Sequence, residues 1–487
     1  MTDAEAVQRR KWFALALLAT TQFVIILDAA IVNVAIPSIG RDLNFSEENL
    51  TWIPNAYALT FGGFLLLGGR MADLLGRRRL FMAGLVLFSV ASLLGGLAQN
   101  EGQLIAARAL QGLGAALLAP SALSMVTNMF AEGSERNKAL GIWGAVSGSG
   151  GAAGVLLGGI LTEYAGWEWV LWVNVPIGVI AAVLAPRLLD ESRRESDLHH
   201  FDALGAISVT AGLSLLVFAL VDTINAGWGS TQTLALLSIA VVLLVAFVFI
   251  ELRSKDPLMP FGIFRLRTLS GANIVGLLVG AALFAMFFFL SRYMQEVLGY
   301  SALKAGLSYL PLALAIIFSA GAASVLVTKL GFKPVLLAGL GLISIGLLWF
   351  SQLPPDGRYL ADLVAPMVIS AMGLGFAFVP ITIAAVSGVS EDESGLASGL
   401  INTSQQVGGA LGLAVLGTIA ASQTTDLMTI ANGSQAALPG ALTEGFQLAF
   451  LVGAGFAILG IVATLMLVRG EDSKQIVGAS PADLPMA

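Results

Sequence analysis

Residues 139–162 read ALGIWGAVSGSGGAAGVLLGGILT, an uncharged apolar stretch long enough to cross a bilayer as a helix, which takes about 20 residues. Residues 397–420 read ASGLINTSQQVGGALGLAVLGTIA, and they register with the first stretch when the chain is slid by 258 residues. Gly141, Gly150, Gly151, Gly154 and Gly159 land on Gly399, Gly408, Gly409, Gly412 and Gly417, and Ala152 lands on Ala410. A second match has nearly the same offset: Leu75-Gly76 and Arg78 align with Leu330-Gly331 and Lys333. Chance registration is the alternative in a chain that holds 56 glycines, and the second match weighs against it.

The rest of the chain continues this pattern. About fourteen segments pass as spans by hydropathy: 12–36, 51–69, 80–99, 103–127, 139–162, 168–188, 204–222, 233–251, 270–294, 304–328, 334–352, 361–386, 397–421 and 446–468. Charged residues make up 11% and hydrophobic residues 57%, with a mean hydropathy of +0.86, which is too little charge to cover a water-soluble protein of this length. The apolar run that follows MTDAEAVQRRKW is long and ends without a small-residue cleavage site, so it reads as the first span rather than a signal peptide. Each repeat match skips eight spans, which a six-span half, two extra spans and a second six-span half would produce. The expected fold is therefore an all-α membrane protein of about 14 transmembrane helices. Its parts are an N-terminal tail (1–11), a six-helix bundle (12–190), a linker carrying two inserted helices (191–260), a second six-helix bundle (261–468) and a C-terminal tail (469–487).

With the spans alternating, Lys and Arg gather on one side: Arg9, Arg10, Lys11, Arg70, Arg77, Arg78, Arg79, Arg136, Lys138, Arg187, Arg193, Arg194, Arg253, Lys255, Arg265, Arg267, Lys329, Lys333, Arg469 and Lys474. Arg41, Arg292, Lys304 and Arg358 fall on the other side, and Arg108 lies within a span. The positive-inside rule then puts both termini in the cytoplasm of a multi-pass protein of the cell (inner or plasma) membrane. The loop at 387–396 fits least well, with Glu391, Asp392 and Glu393 and no base.

The same inventory excludes several functions. There is no cysteine, hence no disulfide and no thiolate metal site. His199 and His200 are adjacent in a charged stretch and read as a solvated loop rather than metal ligands. No catalytic cluster lies in the spans, and no G-x-x-x-x-G-K-[ST] loop is present to drive a pump with ATP. Repeated halves within one chain fit a pore ring poorly. What remains is a secondary transporter, with no cofactor, no metal and no nucleic-acid partner. It would be driven by an ion gradient, and one chain suffices for the mechanism.

Charges inside a bilayer are costly and usually functional. Two lie well within spans, Asp28 in the first and Arg108 in the fourth, at depths of ~12 and ~8 Å from the same surface. If those helices are neighbours, the two groups can pair. A nearby cation favours an ionised carboxylate, so movement of Arg108 could couple to proton uptake on Asp28, and a fixed structural ion pair is the alternative. Glu163, Asp222, Glu251 and Arg292 lie near span ends, where snorkelling or water accounts for them. The turn Gly69-Arg70-Met71-Ala72-Asp73-Leu74-Leu75-Gly76-Arg77-Arg78-Arg79 sets an acid among four bases, as a latch between helix ends would. Gly150, Gly154, Gly158 and Gly159 give the fifth span a nearly side-chain-free face, suited to sliding or to tight static packing. Candidates for a substrate cavity are Gln22, Asn33, Asn55, Tyr57 and Gln111 from the first half. From the second come Asn402, Gln405 and Gln406, with the aromatics Phe284 and Tyr293.

Taken in order, these stretches resemble the major facilitator superfamily, in its fourteen-helix drug:proton antiporter branch of the EmrB/QacA type, over essentially the whole chain. Gly69–Arg79 looks like the signature between helices 2 and 3, and Leu27-Asp28 through Asn33, Val34, Ala35 and Pro37 like the helix 1 motif. Arg108 with Gln111 and Gly112 looks like the helix 4 motif linked to proton transfer, and Gly150, Gly154, Gly158 and Gly159 like the helix 5 antiporter motif. Trp167-Glu168-Trp169 with Asn174-Val175-Pro176-Ile177-Gly178 looks like the branch's entry to helix 6. Val155 stands where the antiporter motif has proline, which puts a kink there in doubt, and Ala30 stands where the helix 1 motif has threonine. The resemblance implies proton-coupled antiport of amphipathic compounds by alternating access. A proton-coupled symporter of the same fold, importing a solute, is the alternative.

Overall fold

A computed structural model describes residues 3–45, 50, 52–131, 133–192, 202–254, 257–390 and 393–475. His199, His200, Arg193, Arg194, Lys255, Glu391 and Asp392 lie outside the described residues, as do the side chains of Phe284, Pro37 and Lys474. Fourteen long helices follow one another, with no strand among the described residues. They are α1 (Asp3–Asp42), α2 (Trp52–Leu75), α3 (Arg77–Gly96), α4 (Glu101–Met129) and α5 (Ser134–Tyr164). Next come α6 (Trp169–Leu188), α7 (Ala203–Ala226), α8 (Thr231–Glu251), α9 (Arg267–Val297) and α10 (Leu303–Leu330). The chain continues through α11 (Phe332–Phe350), α12 (Tyr359–Val386), α13 (Ser394–Ile430) and α14 (Gln435–Leu467).

Thirteen of these are each long and apolar enough to span a bilayer, and α5 is the fourteenth, bent by 41° between 134–151 and 153–164. The doubt that Val155 raised about a kink is answered here: the helix bends without proline, directly after Gly150-Gly151, and glycine pairs are a known cause of sharp kinks. Outward faces are apolar, with Val86, Val90 and Leu94 on α3, Val179 and Val183 on α6, and Val241, Val242 and Phe249 on α8 all exposed. On helices long and apolar enough to cross a bilayer, such faces are suited to lipid. The protein is a multi-pass integral membrane protein.

Within the first six helices α1 packs on α5 and α6, and α4 on α2 and α3. Within the last six α9 packs on α13 and α14, and α12 on α10 and α11. The two sets meet where α5 lies on α10 and α2 on α13. Helix α7 packs against both α2 and α13, and α8 lies outside it. The 258-residue repeat reappears as packing. Gly150 and Gly154 of α5 face the carbonyls of Phe23 and Leu27 on α1, and Gly408 and Gly412 of α13 face those of Leu277 and Ala281 on α9. The second match reappears as a turn. Gly76 and Gly331 both adopt positive φ (105° and 82°), a region that glycine enters without a Cβ clash, and their N–H groups bond to Ala72 O and Val327 O.

Two sequence expectations are corrected. The thirteenth span was expected to stop at 421 and the fourteenth to begin at 446, but helix continues to Ile430 and resumes at Gln435. SQTTDLMTI is too polar for a hydropathy threshold yet contains no breaker until Asn432-Gly433, both at positive φ. Glu251 does not snorkel to water. It is 4% exposed, and its Oε2 accepts from the Met259 N–H at 3.0 Å. The helix ends at which α1 begins and α2 ends carry Arg9, Arg10, Arg77, Arg78, Arg79, Lys138 and Lys333, and are called the basic face below.

Candidate functional site

Asp28 and Arg108 are in direct contact: Arg108 Nη1 donates to Asp28 Oδ2 at 2.6 Å, and the two side chains are 0% and 1% exposed. The pair is held by amides and a hydroxyl rather than by other charges. Gln111, one turn along α4, accepts from Arg108 Nη1 at 2.7 Å and donates to Asp28 Oδ1 at 3.1 Å. Asn174 on α6 donates to the same Oδ1 at 2.7 Å. Ser92 Oγ on α3 accepts from Gln111 at 2.6 Å. Arg108 Nε donates to Ile53 O at 3.2 Å, and its guanidinium lies 4.5 Å above the Tyr57 ring, whose hydroxyl donates to Ile25 O. Helices α1, α2, α3, α4 and α6 thus converge on one carboxylate. The sequence points to Asp28 and Arg108 as a pair, with Gln111 beside Arg108 only by resemblance; Gln111 and Tyr57 are cavity candidates there, and Ser92 and Asn174 have no role in the pair. A polar residue in an apolar span needs a partner, which marks Asn174 as worth placing without saying that the partner is Asp28.

The turn between α2 and α3 joins the two sets of helices at the basic face. Asp73 is fully buried and accepts from Arg77 (2.8 Å) and from the backbone N–H groups of Gly395 and Leu396 (3.0 Å each). Those N–H groups open α13, where a helix presents unpaired donors and the positive end of its dipole. Gly69 lets the backbones meet, since a Cβ there would lie 2.5 Å from Gly395 O. The other arginines of the turn have separate tasks. Arg70 donates to Pro257 O at 2.9 Å, Arg78 to Leu189 O at 3.1 Å, and Arg78 and Arg79 each lie 3.7 Å from Glu191. More bonds cross between the halves nearby. Ser124 Oγ and Ser394 Oγ are 2.7 Å apart, Asn137 donates to Thr328 Oγ1 at 3.1 Å, and Ser324 donates to Asn137 O at 2.7 Å.

The α5 glycines split between two neighbours. Gly150, Gly154 and Gly158 press on α1, whereas Gly159 meets Leu303 on α10, where Gly306 in turn meets Val155 and Leu156. Gly141 and Gly144, on the same cross-half seam, meet Ser324 and Val379. A Cβ at Gly154 would lie 2.7 Å from both Leu27 O and Ala30 Cβ, so the small Ala30 side chain fits this contact. Gly154→Val is expected to cost about 1–3 kcal/mol through overpacking, read as a lower thermal midpoint in detergent. An unchanged midpoint would show that α1 and α5 are not closely seated.

The Major Facilitator Superfamily profile matches residues 18–413. The chain is 38% identical over 476 residues to the puromycin resistance protein pur8 of Streptomyces alboniger, covering 97% of this chain and 94% of that relative. It is 42% identical over 415 residues to the cephamycin export protein CmcT of Amycolatopsis lactamdurans, covering 85% of each. This chain belongs to the major facilitator superfamily. The crystal structure of the human organic anion transporter MFSD10 shares the fold, with a TM-score of 0.65 at 16% identity over 95% of this chain and all of that one. As a superfamily member the protein is a secondary transporter, a carrier rather than an enzyme, and it moves a small molecule across the bilayer without a bound cofactor.

The remaining cavity candidates sit as follows in the superfamily fold. Gln22 is buried, and its Oε1 has no protein partner among the described residues. Asn33 is exposed and bonds back to Ala29 O, and Asn55 is half-buried. Asn402 bonds back to Ser398 O, Gln405 lies beside Gly276 and Gly280 of α9, and Gln406 faces Gly62 of α2. Tyr293 is enclosed within the second set, its hydroxyl donating to Pro354 O. These residues are spread over several helix seams rather than brought into one cluster with Asp28.

Proposed function

We propose that this chain is a proton-coupled antiporter of the EmrB/QacA type that exports amphipathic antibiotics by alternating access. The observation that carries the reading is the buried Asp28–Arg108 pair, a titratable carboxylate beside a cation that a helix movement can withdraw. Protonation of Asp28 favours one state and substrate the other, so each ligand weakens the other by the same factor. The names of the relatives, puromycin resistance and cephamycin export, support an outward direction and an antibiotic cargo. The bias of Lys and Arg to the basic face supports placing that face, with both termini, in the cytoplasm. The latch of Gly69, Asp73, Gly76, Arg77 and Arg78 then closes the cytoplasmic end between bundles 12–190 and 261–468, with the inserted pair of 191–260 braced on the α2–α13 seam.

In liposomes under an imposed pH gradient, puromycin and protons are expected to move in opposite directions. Movement of both in the same direction makes the protein a symporter and ends the antiport reading.

A further inference from the structure

We propose that Asn174 is a positioning residue that directs the coupling proton onto the Asp28 oxygen held by Arg108. The inference rests on the antiport reading and deepens it. A carboxylate oxygen has two lone pairs. Both lone pairs of Asp28 Oδ1 are occupied, by Gln111 Nε2 at 3.1 Å and Asn174 Nδ2 at 2.7 Å. Oδ2 accepts from Arg108 alone among the bonds described. A proton arriving at Asp28 therefore adds to the second lone pair of Oδ2, and it cancels the charge on the oxygen that holds Arg108. That loss of charge makes the ion pair a switch: proton binding loosens Arg108, and with it α4.

Gln111 cannot do this independently, because its own Oε1 is bonded to Arg108 and moves with it. Asn174 belongs to a different helix, is 1% exposed, and keeps its grip on Oδ1 when α4 shifts. Its orientation is determined by charge, since a reversed amide would set two acceptors against each other. Asn174 Oδ1 has no protein partner among the described residues, and Asn174 lines a cavity of about 10 Å³ between α1, α3, α4 and α6 together with Thr21, Ile177 and Gly178. Such a space admits about one water molecule, which would complete the amide's bonds. Among the described residues the charged or titratable groups facing Asp28 are Arg108 from α4 and, behind it, Tyr57 from α2. Helices α3 and α6 present Ser92 and Asn174, and the α5 residue packed on α1 beside Leu27 is the uncharged Gly154.

The test needs no transported compound. Infrared difference spectra of the reconstituted full chain are recorded against pH, and the protonated-carboxyl band that Asp28→Asn removes is assigned to Asp28. In Asn174→Leu, and in the smaller, still polar Asn174→Ser, the midpoint of that band is expected to rise by about one pH unit, because one hydrogen bond to the carboxylate is gone. Thermal unfolding confirms that the variant under study is folded. A folded variant of either kind with the wild-type midpoint overturns the role of Asn174 and leaves the coupling reading standing. A wild-type protein with no Asp28 band at any pH it tolerates overturns the coupling reading itself.

Discussion

Asp28→Asn is expected to abolish pH-driven transport and to destabilise the fold by about 3–5 kcal/mol, because it leaves Arg108 as a buried charge without a counter-ion. The guanidinium is 1% exposed, so water cannot take over the task of the carboxylate. An asparagine at position 28 also offers one acceptor oxygen where there were two. Its NH2 must then face Arg108, or else the amides of Gln111 and Asn174, all of which donate. Loss of transport in this variant alone would therefore be ambiguous between missing chemistry and a damaged bundle.

The double variant Asp28→Asn/Arg108→Gln separates the two. Removing both charges replaces an uncompensated ion with a neutral network, and breaking a buried pair costs far more than replacing both partners. The double variant is expected to regain most of the lost thermal stability and to remain inactive under a pH gradient. Thermal unfolding and liposome transport, run on the same preparations, check this. Driven transport at the wild-type rate by either variant removes Asp28 from the coupling mechanism. A double variant no more stable than the single one shows that the pair contributes no ionic balance to the fold.

How much of this was legible in the sequence depends on which groups carry a signal. Asp28 and Arg108 are conspicuous because charge is rare in an apolar span, and the rise of about 1.5 Å per residue puts them at similar depths. Asn174 is a neutral amide at the mouth of α6, and nothing in spacing distinguishes a partner of Asp28 from a residue turned elsewhere. Asp73 was visible as an acid among bases. Its partners, the N–H groups of Gly395 and Leu396, are backbone donors with no side-chain signature, and they lie 322 and 323 residues away. The repeat is legible in glycines, and the matched Gly154 and Gly412 both meet a neighbouring carbonyl that a Cβ would crowd. Glu251 was misplaced because distance to a span end says nothing about which way the loop folds. Met259 folds back to cover it.

The largest reversible effect is expected at the seam between α4 and α13. Ser124 and Ser394 face each other across the two halves with their hydroxyl oxygens 2.7 Å apart, and both are buried. Side-chain tips that close are within reach of a disulfide, which needs Cβ atoms roughly 3.5–4.5 Å apart. The chain has no cysteine, so a Ser124→Cys/Ser394→Cys variant carries one thiol pair and no background. Alternating access requires the basic face to open, and opening must part these residues along with the Asp73 contacts to Gly395 and Leu396 beside them. Mild oxidation is expected to link the pair and stop transport almost completely. A reductant restores it, and each single-cysteine variant is unaffected by either treatment. Rapid linking in the absence of substrate would mean that the closed basic face is a well-populated state of the resting carrier. A linked protein that still transports at the unlinked rate would falsify the latch: the basic face could then stay shut throughout the cycle, and the substrate would need a route that does not run between the bundles.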